Sequence, residues 1–359
     1  MLVVTTPDIT PAQLDALREH VEAAGLRTHV IRGDQRIVVG CLGDDAALAE
    51  VGLEVLPGVE SVTRVLKPYK LAGREFSAGP TEVRLGGGAR PVVFGGREVA
   101  VIAGPCSVED AEMLHETADA VRAAGAVALR GGAYKPRTSP YAFQGLGKEA
   151  LLMLAETRAR TGLPVVTEVM DPRLVETVAE HADVLQIGAR NMQNFALLSE
   201  VGRTARPVLL KRGPSATIAE LLMAAEYVLA QGNRDVILCE RGIKGWDPAT
   251  RNTFDLAAVP VLKAESHLPV LVDPSHAAGR ADLVPALSFA AIAAGADGLI
   301  VEVHPRPASA KSDGAQSLDV PAFAAMMRRL RPFVEAADRT MAPLPEPVGA
   351  AAGASAAGW

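Results

Sequence analysis

From residue 99 onward the chain repeats one device. A short apolar, β-branched run leads into a polar or glycine-bearing turn, and ten or more residues with helical spacing of apolar positions follow. Eight such runs stand at 99–103, 126–129, 164–167, 184–187, 207–210, 236–239, 269–272 and 298–301. Their starts lie about 20 to 38 residues apart, which leaves room for a strand and a crossover helix but is too wide for hairpins. Eight strand–helix units over about 240 residues have the size of a (β/α)8 TIM barrel. Ser107 is expected to cap the first helix with Asp110 at the capping-box position. Ser215 is expected to cap another, whose Ile218, Leu221, Leu222, Ala225, Val228 and Leu229 form an inward stripe. An open doubly wound sheet is the alternative. Against it, the chain lacks GxxxxGK[ST], and its one G-x-G-x-x-A match, Gly145-Leu146-Gly147 to Ala150, follows a loop instead of a strand.

The first 67 residues follow another plan. Apolar residues 2–4, a helical pattern over 11–24 ending at Gly25, and extended runs at 28–31 and 36–40 precede a short helix near 45–50 and a strand near 61–66. The order β-α-β-β-α-β is the ferredoxin-like arrangement. Residues 68–91, with Gly86-Gly87-Gly88, read as a linker, 92–340 as the barrel, and 341–359, rich in Ala, Gly and Pro, as a flexible tail.

Composition narrows the picture. Hydrophobic residues make up 49% of the 359 and aromatic ones only 4%, so the core is built from Ala, Val, Leu and Ile. With 36 Lys and Arg against 42 Asp and Glu, the net charge of −6 argues against nucleic acid or an anionic membrane as partner. Cys41, Cys106 and Cys239 contain no CxxC and point to a reducing, cytoplasmic setting. No secretory signal is expected from the opening residues. The most apolar stretch, 286–301, contains Asp297 and falls short of the roughly 20 residues a membrane helix needs.

In a barrel the residues just after each strand form the mouth. Here they include Arg130, Lys135, Arg137, Arg190, Lys211 and Arg241. Six cations at one mouth of an acidic protein call for anionic ligands, small phosphorylated or carboxylated molecules. Cys106, His276, Glu302 and Asp313 follow the first, seventh and eighth runs, which a closed barrel brings together. A thiolate, an imidazole and two carboxylates suit Mn, Fe, Co, Zn or Cu better than Mg or Ca. A cysteine nucleophile, Cys106, with His276 as base is the competing reading, and it leaves the cations unexplained. His20, His29, His115, His181 and His267 read as structural, and His304 as a partner of the metal ligands.

With these residues in view, the chain resembles the 3-deoxy-D-arabino-heptulosonate 7-phosphate (DAHP) synthase family, in its short type I form with a ferredoxin-like N-terminal domain. The resemblance is carried by Gly104-Pro105-Cys106-Ser107-Val108-Glu109, 129–147, 186–194, 209–213, 239–242, 271–279 and 300–305. It implies condensation of phosphoenolpyruvate with erythrose 4-phosphate, releasing phosphate, as the first step of the shikimate pathway to aromatic amino acids. It assigns Cys106, His276, Glu302 and Asp313 to one divalent transition metal, with manganese first and iron, cobalt, zinc or copper as alternatives. It assigns phosphoenolpyruvate to Arg130, Lys135, Arg190, Lys211 and Arg241 with Gly188 and Ala189, and erythrose 4-phosphate to Arg137 and Thr138. Asp273 joins the substrate-contacting set. Lys135 is the candidate general acid. Glu168 is the candidate that offsets developing positive charge or positions the attacking water.

The alternative within the superfamily is 3-deoxy-D-manno-octulosonate 8-phosphate synthase, which takes arabinose 5-phosphate. Lys135-Pro136-Arg137-Thr138 and the N-terminal domain favour the DAHP reading. Pro214-Ser215-Ala216 and Lys244-Gly245-Trp246 depart from the family pattern and carry no assigned ligand. A catalytically silent binding protein is a third reading, which the intact ligand set opposes. By analogy with the family, residues 1–67 are expected to bind a tyrosine or phenylalanine effector, with a structural appendage as the plain alternative, and the protein to form a homotetramer or homodimer.

Overall fold

The computed structural model describes residues 1–32, 36–43, 51–63, 67–77, 79–86, 91–137 and 139–345. It divides into two compact units, Met1–Thr81 with Ala264–His267, and Glu82–Lys263 with Leu268–Trp359.

In the first unit, strands β1 (Leu2–Thr5), β2 (Arg27–Arg32), β3 (Ile37–Leu42) and β4 (Val59–Thr63) form an antiparallel sheet in the order β2-β3-β1-β4. Helix Pro11–Ala23 starts at Thr10, whose side chain and that of Gln13 form a reciprocal capping box, and Pro11 suits the first helical position. Its Leu14, Leu17 and Val21 pack with Val3, Val39 and Cys41. This is the ferredoxin-like sheet expected. The helix expected near 45–50 lies outside the described residues.

The second unit is the barrel. Strands β7 (Glu98–Gly104), β8 (Ala128–Arg130), β9 (Val165–Glu168), β10 (Val184–Ile187), β11 (Val208–Lys211), β12 (Val236–Glu240), β13 (Val270–Val272) and β14 (Gly298–Glu302) run parallel in sequence order. The ring closes where β14 pairs with β7, from Gly298↔Ala100 to Glu302↔Gly104. Each lies within two residues of an expected run. Five of them, β8, β9, β11, β12 and β14, end on a charged residue: Arg130, Glu168, Lys211, Glu240 and Glu302.

Residues 68–91, expected as a linker, instead contain a 3-10 turn at Arg74–Phe76 and strand β5 (Val83–Leu85), which pairs with β6 (Val92–Phe94) as an antiparallel hairpin. The reason is the alternation of buried Val83, Leu85, Val92 and Phe94. These residues pack with barrel-lining Ala100, Ile102, Val166, Leu209, Ile237, Cys239, Leu271 and Ile300. A last short strand, β15 (Thr340–Met341), pairs with the start of β7.

The expected caps also shift. Asp110, not Ser107, caps helix Ala111–Ala123 by accepting from Met113 N, while Ser107 Oγ donates to Gly132 O at 3.3 Å. Thr217, not Ser215, caps helix Ile218–Leu229, in a reciprocal box with Glu220. In both cases a capping side chain nearer the first helical residue takes the role. Among the described residues no helix is long and apolar enough to cross a membrane.

Candidate active site

The strand termini deliver the expected residues to one cavity of about 520 Å³. Arg130, Lys135, Arg137, Arg190, Lys211 and Arg241 all line it, together with Glu168, Gly188, Ala189, His276 and Asp313. Thr138 lies outside the described residues. Arg130 is the deepest cation. One guanidinium nitrogen pairs with Glu302 at 3.0 Å, while Nε and the other nitrogen are buried without a partner. Buried donors of this kind normally have acceptors, and an anionic group in the cavity is the kind that would meet them. Arg137 likewise donates through Nε to Phe143 O at 3.0 Å and keeps a buried terminal nitrogen without a partner.

Beside these cations sits a cluster of soft and hard donors. Ligand atoms of Cys106, Glu302 and Asp313 lie within 4.8 Å of one another. His276 Nε2 is 3.5 Å from Glu302 Oε1, at the border of that set. The Cys106 thiol lies 3.2 Å from Asp313 Oδ2 and 3.0 Å from Ser312 Oγ, and it accepts from Lys135 Nζ at 3.0 Å. Burial, with the neighbouring Glu302 carboxylate adding to it, pushes the thiol up to about 12. The thiolate therefore needs a cation beyond Lys135 to form at neutral pH. Burial holds His276 below the ordinary imidazole value, against the pull of Asp273, so its ring is neutral, the form that ligates metals. Burial would raise Asp313, but Arg251 and the other neighbours hold it below the usual carboxylate range. A borderline divalent ion fits this donor chemistry.

Local backbone explains the placement. Gly104, at φ 151°, brings β7 so close to β8 that a Cβ there would stand 2.2 Å from Arg130 O. At Gly188 a Cβ would stand 1.9 Å from Glu168 Oε1, so the missing side chain is what lets that carboxylate into the cavity. Lys135 Nζ donates to both the carbonyl and the sulfur of Cys106. Burial opposes its charge, but Cys106, Glu168 and Glu302 together outweigh that and keep it protonated.

Two expected residues serve differently. Asp273 is fully buried and does not line the cavity. One oxygen pairs with Lys211 Nζ and lies 2.7 Å from His276 Nδ1, and the other accepts from His276 N at 2.9 Å. Its carboxylate orients the side chains of Lys211 and His276. His304, expected beside the metal ligands, lies 3.6 Å from Glu109 and accepts from Arg306 N at 3.0 Å. Arg251, Asn252, Gln186 and Lys244 line the cavity and were missed. Lys244, Arg251 and Asn252 lie in the connection after β12, and Gln186 lies inside β10, where it reads as core.

The chain's relatives agree with this geometry. Residues 81–335 match the DAHP synthetase I family and residues 1–67 the DAHP synthase ferredoxin-like domain. Phospho-2-dehydro-3-deoxyheptonate aldolase of Thermotoga maritima is 51% identical over 94% of this chain and 98% of its own. A 2-dehydro-3-deoxyphosphooctonate aldolase of Bradyrhizobium diazoefficiens is 32% identical over 68% of this chain and 95% of its own. The crystal structure of the Thermotoga enzyme superposes with a TM-score of 0.75 at 49% identity, covering 95% of this chain and 98% of that one. A truncated form of the Thermotoga 3-deoxy-D-arabino-heptulosonate 7-phosphate synthase gives 0.70 at 48%, covering 76% and 99%. Both parts of the chain, the antiparallel sheet unit and the barrel, thus find their counterparts in one lineage, and the chain belongs to the DAHP synthetase I family.

Proposed function

We propose that this protein is a DAHP synthase, condensing phosphoenolpyruvate with erythrose 4-phosphate to give DAHP and inorganic phosphate at the entry of the shikimate pathway. The observation that carries the reading is a mouth where six cations meet a thiol–carboxylate cluster, Cys106, Glu302 and Asp313, edged by His276. Arg130, Lys135, Arg190, Lys211 and Arg241 hold the carboxylate and phosphate of phosphoenolpyruvate, with Gly188 and Ala189 beside it. Arg137 and Thr138 hold the aldose phosphate. Such a clamp orients two polyanions that repel in solution. Cys106, His276, Glu302 and Asp313 would hold one divalent ion, manganese first, which when bound supplies Lewis-acid polarisation of the aldehyde. Lys135, buried and protonated, delivers a proton to the oxygen released from that carbonyl. Glu168 stabilises positive charge on the former enol carbon or orients the water that attacks it. Residues 1–67 form a regulatory domain for an aromatic amino acid, and the barrel of residues 92–340 works as a cytoplasmic homo-oligomer.

Phosphate release measured with erythrose 4-phosphate and with arabinose 5-phosphate tests the substrate. Turnover with the four-carbon sugar, lost on chelation and restored by Mn²⁺, is expected. Preference for the five-carbon sugar would move the chain to the octulosonate activity named for its 32% relative. Cys106→Ser is expected to weaken metal binding and abolish turnover with cooperative folding intact; full activity after chelation would refute the metal role.

A further inference from the structure

The carboxylates of Glu302 and Asp313 are joined by a bridge that involves neither the cations nor the thiol assigned above. Gln316, buried at 3% exposure, donates from Nε2 to Glu302 Oε2 at 2.6 Å. Its Oε1 accepts from Arg251 Nη1 at 2.8 Å, and the same guanidinium nitrogen lies 3.5 Å from Asp313 Oδ1. Arg251 is itself held in place. Its backbone N donates to Ala278 O at 2.9 Å, and the next residue, Asn252, donates to Ala277 O at 3.0 Å and, through Nδ2, to His276 O at 2.7 Å. Asp313 takes the left-handed conformation at φ 50°, unusual for a residue with a side chain, and its carbonyl accepts from Gln316 N and Ser317 Oγ.

Counting oxygens gives the arrangement a meaning. The bridge occupies Glu302 Oε2 and faces Asp313 Oδ1. The other two oxygens are Glu302 Oε1, which pairs with Arg130 at 3.0 Å and lies 3.5 Å from His276 Nε2, and Asp313 Oδ2, which meets the Cys106 thiol at 3.2 Å. The amide suits the central part, because it donates to a carboxylate on one side while accepting from a guanidinium on the other. We propose that Arg251 and Gln316 are positioning residues that turn Glu302 and Asp313 so that one chosen oxygen of each faces Cys106 and His276, thereby setting the affinity and geometry of the divalent-ion site. The proposal rests on the metal reading above and adds the two residues that select its oxygens.

The test uses the metal-stripped full-length chain, titrated with Co²⁺ followed by absorption and with Mn²⁺ followed by paramagnetic resonance. The parent chain is expected to bind one equivalent with a cobalt–thiolate charge-transfer band. Gln316→Leu and Arg251→Ala are expected to weaken both ions by about 10- to 100-fold, the usual effect of losing a partner of a ligand. The visible d–d bands should shift while the thiolate band per bound ion persists, because Cys106 is untouched. Arg251→Lys, which keeps a donor, should restore most of the affinity. Gln316→Glu, which keeps the size but cannot donate to Glu302, should not. Arg251 is partly exposed, so its variants carry the test if Gln316→Leu does not fold. Binding within twofold of the parent with an unchanged spectrum in both Gln316→Leu and Arg251→Ala would overturn the proposal. Failure of the parent to bind either ion would instead overturn the metal reading, and the positioning role with it.

Discussion

The pair Arg130–Glu302 offers a sharp energetic test, because the two charges meet at 3.0 Å with side chains almost wholly excluded from solvent. In the metal-free protein each is the other's compensation, supplemented on the Glu302 side by Gln316. Removing one partner of a buried pair strands the other and costs about 3–5 kcal/mol. Arg130→Met keeps the volume and removes the charge, and Glu302→Gln keeps the shape and still accepts from Gln316. Each single variant should therefore lose about 3–5 kcal/mol in urea unfolding of the chelated protein. The double variant buries no unpaired charge, so the two losses should fall short of additivity by about 3 kcal/mol, the upper end of measured couplings. Divalent ion should restore part of the Arg130→Met loss, since it supplies a cation beside Glu302. Losses that add to within about 0.5 kcal/mol would mean the two charges do not depend on each other, and the account of the site's electrostatics would fail.

Two further outcomes are expected. Gly188→Ala places a Cβ about 1.5 Å inside ordinary contact with Glu168 Oε1, so the carboxylate must swing away; turnover should fall by about 10²-fold with the melting curve unchanged, and undiminished turnover would remove Glu168 from the chemistry. His267 donates from Nε2 to Leu71 O at 2.8 Å, its Nδ1 lies 2.7 Å from the Thr81 hydroxyl, and burial lowers its pKa, favouring the neutral ring. A base with a depressed folded-state value contributes full stability above its ordinary value of 6.5 and loses it as pH falls through that value toward the lower one. Urea midpoints taken between about pH 7.5 and 5.5 should thus drop, and His267→Gln should flatten the slope; an equal slope in the variant would place the titration elsewhere.

The barrel was legible because each strand is a short apolar run with a turn behind it, a signal that survives without any tertiary information. The cations were legible for the same reason: Arg130 and Lys211 close their strands, and Lys135, Arg137, Arg190 and Arg241 follow theirs closely. Cys106, Glu302 and Asp313 could be joined only by assuming closure, which the β14–β7 pairing supplies. What escaped has the opposite character. Arg251 and Asn252 sit in a long connection, and only their hydrogen bonds to 276–278 bring them to the cavity. The β5–β6 hairpin was hidden by the Gly86-Gly87-Gly88 run, which reads as a linker although the flanking alternation is that of paired strands. Asp273, whose place in the chain says mouth, is turned inward toward Lys211 and His276.

The seam between β7 and β14 joins the first and last staves of the barrel, and the thiol of Cys106 meets Asp313 across it from 207 residues away. A chain that ends before residue 302 already holds all six mouth cations but lacks Glu302 and Asp313, the carboxylates that cluster with Cys106. The last stave of the barrel and the last members of the cluster therefore arrive together, within residues 298–313.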